Sequence, residues 1–380
     1  MSQDTESDTY GKITDEGLAE LEDRIGTVID ERDPYVSEAT RDTIRHWANG
    51  IGTDNPLYTD PEYAQDTQYG SITAPPTFLY ATCHISGGYV GGLPGVHAMY
   101  AGTDWDWKQP IKRGYEIETK SWLHDLIEHE TNFAGRSIQQ IYRTEFYNQH
   151  GEQLATADSW CFRTERDTAR EGKKKYESEG VELANWDEED IEAFAEHYRQ
   201  QEPRGGETRY FEDVEEGQQL DKLLKGPRTV TGAIAFLQGW GSVYVNARGH
   251  QLMYALFDDH PGLKTINRYG APEPPSRVHW DEEFAQHAGV PAPYDYGPER
   301  VSWLGHTCHH WMGDDGFLED LYVEVRRHNL LGDATWCTGE VTDTYVDGEK
   351  HLVDVELKAT NQRDNVTAKG NATIRLPSRE

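Results

Sequence analysis

Gly52-Thr-Asp-Asn-Pro-Leu-Tyr58-Thr-Asp-Pro-Glu-Tyr-Ala64 has an altered second copy far down the chain, Ser276-Arg-Val-His279-Trp-Asp-Glu-Glu-Phe-Ala285. Superposing Tyr58 on His279 puts Asp60 on Asp281, Glu62 on Glu283 and Ala64 on Ala285, at an offset of 279 − 58 = 221. Two more echoes follow in the same order. Arg113-Gly114-Tyr115 and Leu331-Gly332-Asp333 each open an alternating run, at an offset of 332 − 114 = 218. Asn148-Gln149 and Asn361-Gln362 each precede another, at 361 − 148 = 213. Ordered echoes with a slowly drifting offset mark a gene-length repeat with small insertions.

Each half reads to one plan. A leading strand and a short helix precede the motif, a longer helix follows, and period-2 strands joined by polar turns close the half. In half one the spacing predicts a long helix from Pro75-Pro76-Thr77 through Phe78, Leu79 and Cys83 to Gly87-Gly88, since proline is favoured in a first turn. In half two it predicts a helix from Gly297-Pro298 to Gly313, with Val301, Leu304, Cys308 and Trp311 as its apolar stripe. Patterning alone gives a duplicated α+β protein. The halves are expected at 20–166 and 208–380. A charged linker over 167–207 joins them and carries a capped helix from Asn185-Trp-Asp-Glu-Glu-Asp, stopped by Pro203 and Gly205-Gly206.

The 380 residues hold 36 Lys and Arg against 68 Asp and Glu, a formal charge of −32. Such an excess repels nucleic acid and anionic membranes. The acid is dispersed, Arg outnumbers Lys, and only 36% of residues are apolar. That pattern suits a surface adapted to high salt, where self-repulsion is screened within a few Å. No apolar run approaches a membrane span, and Met1-Ser-Gln-Asp-Thr-Glu lacks the basic and apolar regions of a signal peptide. The chain therefore reads as cytoplasmic. Cys83, Cys161, Cys308 and Cys337 lack metal or redox spacing and read as reduced and buried.

The run Trp47-Ala-Asn-Gly-Ile-Gly-Thr-Asp54-Asn55-Pro56-Leu57-Tyr58 resembles the MaoC-like (R)-specific enoyl-CoA hydratases, and more closely the FAS1-like dehydratase domain of double hot-dog hydratases. Ala74-Pro-Pro-Thr-Phe78, Leu93-Pro-Gly95, Trp105-Asp-Trp107 and Asn148-Gln149 extend it, and Val278-His279-Trp280-Asp281, Tyr294-Asp-Tyr-Gly297 and Trp311-Met-Gly-Asp314 carry it into half two. The resemblance implies a double hot-dog, each antiparallel sheet wrapping a long helix. It implies reversible hydration of a 2-enoyl-CoA to a 3-hydroxyacyl-CoA, with no metal or redox cofactor and a CoA thioester as substrate. Fused hot-dogs often pair again, so a homodimer or higher homo-oligomer is expected.

In that family an Asp and a His, set across an Asn-Pro turn, hold one water and exchange its protons. The N-terminus of the long helix offers N–H groups to the enolate oxygen. Both halves depart from the pattern. Half one keeps Asp54, Asn55 and Pro56 but has Tyr58 at the His position; half two keeps His279 but has Pro275-Ser276-Arg277 before it. Three readings stay open. Half two is catalytic, with His279 as base and Asp295 as a new carboxylate beside Tyr296 and Gly297. Half one is catalytic, with Asp54 aided by Tyr58 beside Asn55. Or the chain only binds an acyl thioester, alone or as the subunit of a hydratase complex. A hot-dog thioesterase fits the fold, but the Asp-Asn-Pro motif argues against it. A direct Asp54–His279 pair is not expected, because equivalent points of two fused hot-dogs lie far apart.

Arg326-Arg327, or Lys225 with Arg228, are candidates for the CoA phosphates, since guanidinium suits phosphate geometry. His306-Thr-Cys-His309-His310 lacks the carboxylate and second ligand group of a zinc site and reads as helix surface or pocket lining. Trp105, Trp107, Trp240 and Trp303 are candidates for an acyl pocket.

Overall fold

The computed structural model describes residues 11–29, 34–131, 135–165, 181–241 and 249–379. The first part of the expected linker, 167–180, lies outside them. In chain order the strands are β1 (Val28–Ile29), β2 (His97–Trp107), β3 (Ile117–Thr131), β4 (Gly135–Asn148), β5 (Gln153–Thr164), β6 (Leu223–Lys225), β7 (Thr265–Ile266), β8 (Pro272–Glu273), β9 (Phe317–Val325), β10 (Thr335–Asp347), β11 (Lys350–Asn361) and β12 (Val366–Leu376).

Ten of them form one sheet, ordered β1-β3-β4-β5-β2-β9-β12-β11-β10-β6. The order is a mirror about β2–β9, where Gly102 pairs with Glu324 and Trp105 with Leu321 in an antiparallel seam. Each half is thus a five-stranded sheet, and the two fuse edge to edge. The seam leaves neither inner edge unpaired.

The echoes become matching turns. Gly114 and Gly332 both have positive φ, +86° and +92°. Asn148 accepts from the N–H groups of His150 and Glu152, and Asn361 from those of Arg363 and Asn365. Gln149 Oε1 accepts from Glu116 N–H, and Gln362 Oε1 from Ala334 N–H. An Asn side chain that closes its own turn is a local preference, so it survives in both copies.

A fourth echo lies upstream. Helix Arg41–Ile51 is capped by Thr40 and ends on Gly52 in the left-handed region; helix Val230–Trp240 is capped by Thr229 and ends on Gly241 likewise. Their sequences share a Gly-x-Gly ending, Gly50-Ile-Gly52 and Gly239-Trp-Gly241, at an offset of 239 − 50 = 189. The helices cross at these glycines. A Cβ on Gly50 would sit 3.0 Å from Ala235 O, and one on Gly239 2.9 Å from His46 O. The offset then grows from 189 to 221 within a few residues, so half two carries 221 − 189 = 32 extra residues after Gly241. They include helix His250–Asp259 and the β7–β8 hairpin.

Half two holds the long central helix, Gly297–Met312. Val301, Leu304, Cys308 and Trp311 are all buried, but so are Glu299, Arg300, His306, His309 and His310 on its other faces. The sheet covers one side and half one the other, so the polar residues must find partners inside.

Half one lacks the long helix expected over 75–88. Only Pro76–Ala81 is helical there, and it is a 3₁₀ helix. The bonds run over three residues, from Phe78 N–H to Pro75 O and from Thr82 N–H to Leu79 O. Consecutive prolines disfavour α geometry at Pro75 and remove a donor. Thr82 and Ser86 hydroxyls donate to the carbonyls of Leu79 and Cys83, which competes with helix continuation. Phe78 and Leu79 are nonetheless buried.

Candidate active site

His279 ends a 3₁₀ turn, Pro275–His279, and Asp281 then caps helix Glu282–His287. Its Nδ1 lies 2.8 Å from Tyr294 O. A carbonyl only accepts, so Nδ1 carries the proton and Nε2 is left as the acceptor. The ring packs on Tyr296, with centroids 3.9 Å apart. Burial pushes its pKa down to about 3, with Arg228, His328 and Arg300 acting the same way. The imidazole is therefore neutral at neutral pH.

His279 lines a cavity of 320 Å³ together with Tyr296, Gly297 and Asp295. Gly297 opens the central helix, so its N–H has no partner carbonyl within that helix. A Cβ here would collide with the Tyr100 ring. Half one closes the far side of this cavity with Gly87, Gly88, Ala98 and Tyr100. The site is therefore built across the junction of the halves.

Asp295 is buried with both oxygens engaged. Oδ1 accepts from Asn329 N–H at 3.2 Å and Oδ2 from Asn329 Nδ2 at 2.9 Å, while Arg300 Nε lies 2.7 Å from Oδ2. Arg300 itself donates to the carbonyls of Arg327 and Thr367. This arrangement fixes the entrance of the central helix. Each Asp295 oxygen thus already has a partner within the fold.

Half one has the corresponding place. Thr73 bridges Lys112 as Tyr294 bridges Leu330, and Ala74 N–H donates to Ile111 O as Asp295 N–H donates to Asn329 O. Asp295 therefore matches Ala74 (295 − 221 = 74). The cavity between Tyr58, Ala74 and Pro76 is only 30 Å³. His309 and Met312 from the end of the central helix fill it. Tyr58 is buried 5.1 Å from the His309 ring, and its hydroxyl has no hydrogen-bond partner among the described residues. Burial first, then Asp314, raises its pKa well above 10. It is a wall residue rather than a base.

The Asp-Asn-Pro motif of half one serves as a clasp. Asn55 Oδ1 accepts from Leu57 N–H at 2.8 Å, and its Nδ2 donates to Asp314 at 2.9 Å. Tyr63 and Tyr69 donate to the Asp314 carboxylate and carbonyl. Asp54 is exposed and stands outside the filled cavity.

Lys225 and Arg228 are buried and cannot meet a phosphate, which corrects one expectation. Lys225 donates to Ile51 O at 2.8 Å and Gly52 O at 3.3 Å and lies 2.6 Å from His306 Nδ1. Arg228 pairs with Glu299 at 2.7 Å. Nothing in residue type marked these two cations as internal; the signal was their flanks, buried Leu223-Leu224 before Lys225 and the turn at Gly226-Pro227 after it. Arg326 and Arg327 are exposed, and Arg326 lies at the rim of the open cavity, paired with Glu324. His306, His309 and His310 are all buried on the central helix, and His306 and His309 turn to different partners, Lys225 and Tyr58. Of the four tryptophans only Trp240 lines the open cavity; Trp107 lines the filled one, stacked on Trp105 at 5.2 Å.

A helix-wrapping sheet fused to its own copy, with an imidazole facing a helix N-terminus, defines the MaoC-like class of double hot-dog proteins. Residues 24–157 match the FAS1-like, dehydratase domain region, and the chain belongs to this FAS1-like dehydratase (MaoC-like) family. It is 30% identical over 138 residues to a UPF0336 protein of Streptomyces avermitilis, covering 35% of this chain and 87% of that one. It is 43% identical over 140 residues to a UPF0336 protein of Thermobifida fusca, covering 36% and 88%. The fold matches a solved MaoC-like dehydratase with a TM-score of 0.62 at 16% identity, over 94% of this chain and 99% of that one. It also matches a Mycobacterium tuberculosis protein described as a double hot-dog, with a TM-score of 0.53 at 8% identity, over 94% and 97%. No helix among the described residues is long and apolar enough to cross a membrane.

Proposed function

We propose that the chain catalyses reversible hydration of a 2-enoyl-CoA at the half-two cavity. One observation carries this reading: His279, its Nδ1 pinned on Tyr294 O at 2.8 Å, shares a 320 Å³ cavity with Gly297 at the start of the central helix. Water attacks C3 as His279 Nε2 takes its proton. The electron pair moves through the double bond onto the thioester oxygen, which the Gly297 N–H receives. The imidazolium then returns the proton to C2. Burial favours the neutral imidazole, the form that accepts the proton of the water. Asp295 acts as a positioning residue through Arg300 and Asn329. Arg326 at the rim, with the exposed Arg327 next to it in sequence, is the cation offered to the phosphates of CoA.

A second reading has its own support. Both Asp295 oxygens are engaged, which favours an acyl-thioester-binding subunit that works with a partner. Purified protein, assayed in molar KCl with a panel of enoyl-CoAs, separates the two. Hydration predicts turnover that falls by about 10²-fold or more in His279→Ala and changes less than about twofold in Asp54→Ala. Saturable ligand-dependent stabilisation with no turnover of any enoyl thioester selects the binding subunit.

A further inference from the structure

The helix entrance carries different donors in the two halves. The offset of 221 sets Tyr296 on Pro75 (296 − 221 = 75) and Gly297 on Pro76 (297 − 221 = 76). Proline has no N–H, so half one has neither a phenol nor a helix-opening donor at this place. Half two has both, the Tyr296 hydroxyl and the Gly297 N–H, at the start of the central helix. The Gly297 N–H has its role in the proposed reaction. The Tyr296 hydroxyl does not yet have one.

Tyr296 is buried and lines the cavity that His279 also lines. Three rings hold its own in place, with centroids at 3.9 Å to His279, 5.3 Å to Trp240 and 5.7 Å to Phe236. A side chain packed in this way is positioned before any ligand arrives. Its hydroxyl is buried and has no hydrogen-bond partner among the described residues. Tyr100, on the far side of the same cavity, differs: its hydroxyl is tied to Tyr80 and Thr103. Buried hydroxyls are as a rule paired, so an idle one beside the candidate base implies that a ligand atom completes it. Burial, against the nearby Arg228, pushes the Tyr296 pKa above the ordinary phenol value, so the group is a protonated donor at neutral pH.

Which ligand atom it meets follows from what a donor can do beside His279. With Nδ1 engaged by Tyr294 O, Nε2 is an acceptor. A water between that acceptor and a phenol turns one proton to Nε2 and takes the phenol's hydrogen bond on one lone pair. Its second lone pair is then free to attack C3. We propose that Tyr296 is a second catalytic residue of half two, its phenol donating to the oxygen that is added to C3 and becomes the 3-hydroxyl of the product. The proposal rests on the reading of His279 as the base of a hydration. A carboxylate here would accept from the water, whereas the phenol donates to it. The O–C3 bond forms, the O–H bond facing the imidazole breaks, and the electron pair of the double bond moves onto the thioester oxygen; the phenol keeps its own proton throughout. Its hydrogen bond strengthens as the oxygen loses a proton and becomes hydroxide-like. The same contact makes a 3-hydroxyl a better ligand than a methylene at C3.

The test compares the full chain with Tyr296→Phe, which keeps the ring and removes only an unpartnered hydroxyl, so its unfolding midpoint is expected at or above that of the wild type. Binding is measured by calorimetry in molar KCl with pairs of CoA thioesters, 2,2-difluoroacyl-CoA and both enantiomers of 3-hydroxy-2,2-difluoroacyl-CoA, at four, six and eight carbons. Neither member of a pair has a C2 proton to lose, so no hydration chemistry intervenes. The wild type is expected to prefer one 3-hydroxy enantiomer over its partner lacking the hydroxyl, and Tyr296→Phe to lower that preference by about three- to tenfold. With enoyl-CoA substrates, Tyr296→Phe is expected to lower kcat by about tenfold or more while KM stays within about threefold. A wild type with no preference for the 3-hydroxyl, or a preference that Tyr296→Phe leaves within about twofold, overturns the proposal. Equal weakening of both members of a pair also overturns it, because packing alone would do that. A preference lowered by Tyr296→Phe in a protein without turnover removes the hydration reading and keeps the hydroxyl contact; turnover with a preference that Tyr296→Phe does not touch does the reverse.

Discussion

Half one keeps the motif and has lost the cavity; half two keeps the cavity and has lost most of the motif. Asp54, Asn55 and Pro56 survive where His309 and Met312 fill the site to 30 Å³. His279 survives alone where 320 Å³ remain open. A motif read in isolation would place the chemistry in half one. Space and the state of the surviving groups support the proposed site in half two. Asn55 explains why the motif persists without a site: it joins the N-terminus of its own turn to Asp314 of the other half, 2.9 Å away. A buried amide with two good partners is expensive to replace, whether or not it ever held a substrate.

The sharpest way to break the comparison is at Asp295, because half one has Ala74 in its place. Half two has a buried ion pair at its helix entrance where half one has only a buried alanine methyl. Asp295→Asn leaves Arg300 buried at 2% exposure without its counter-charge. Removing one member of a buried pair costs about 3–5 kcal/mol. Urea unfolding is expected to show a loss of that order, with Ala74→Gly an order of magnitude milder. Asp295→Asn that unfolds at the wild-type midpoint would show that the pair is not what holds the entrance.

The repeat was legible because turns are local. Gly114 and Gly332, and Asn148 and Asn361, do in the fold what their residue types prefer anywhere. The central helix was legible for the same reason: Pro298 opens it and Gly313 closes it. The filling of half one was not legible, because His309 lies about 250 residues from Tyr58 and only the seam brings them together. The 3₁₀ turn had a visible cause in Pro75-Pro76. The Gly50/Gly239 crossing was equally visible as a repeated Gly-x-Gly, and the jump in offset after it gives the 32-residue insertion. The burial of Lys225 had only a weak signal, since lysine is the residue least expected inside.

Lys225 offers a smaller test where the two halves meet. It ties the C-terminal carbonyls of helix Arg41–Ile51, just ahead of Asp54, to His306 on the central helix. Burial lowers its pKa to about 8, against partial compensation from Cys337, Asp54 and Glu299. Between about pH 8 and 10.5 the unfolded chain then binds more protons at this site than the folded one. Stability from this group therefore rises with pH across that window, by roughly 3 kcal/mol at most. The buried thiols of Cys161, Cys308 and Cys337, pushed up to about 12 or beyond, act in the opposite direction above pH 9. The readout is therefore the difference between wild type and Lys225→Met in unfolding free energy from pH 7.5 to 10.5. That difference is expected to shift in favour of the wild type as pH rises. A pH-independent difference would mean that Lys225 is not held near neutrality in the fold.

The smallest effect belongs to Tyr58, and it bears most directly on what the filled site is. If half one were a working site, its phenol would donate to a water or a thioester oxygen, and Tyr58→Phe would lower turnover. In the structure the hydroxyl is buried and has no partner among the described residues, while the ring packs on His309. An unpaired buried hydroxyl carries a desolvation penalty that phenylalanine does not. Tyr58→Phe is therefore expected to leave turnover within about twofold and to change unfolding free energy by about 0.5 kcal/mol or less, with stabilisation the favoured sign. Tyr58→His should behave differently from a restored catalyst. The imidazole would stand at the family's histidine position but against His309 and Met312, with no room for substrate, so added turnover is not expected. Turnover gained by Tyr58→His, or lost by Tyr58→Phe, would reverse the comparison, since either would require that the half-one cavity opens in solution far beyond 30 Å³.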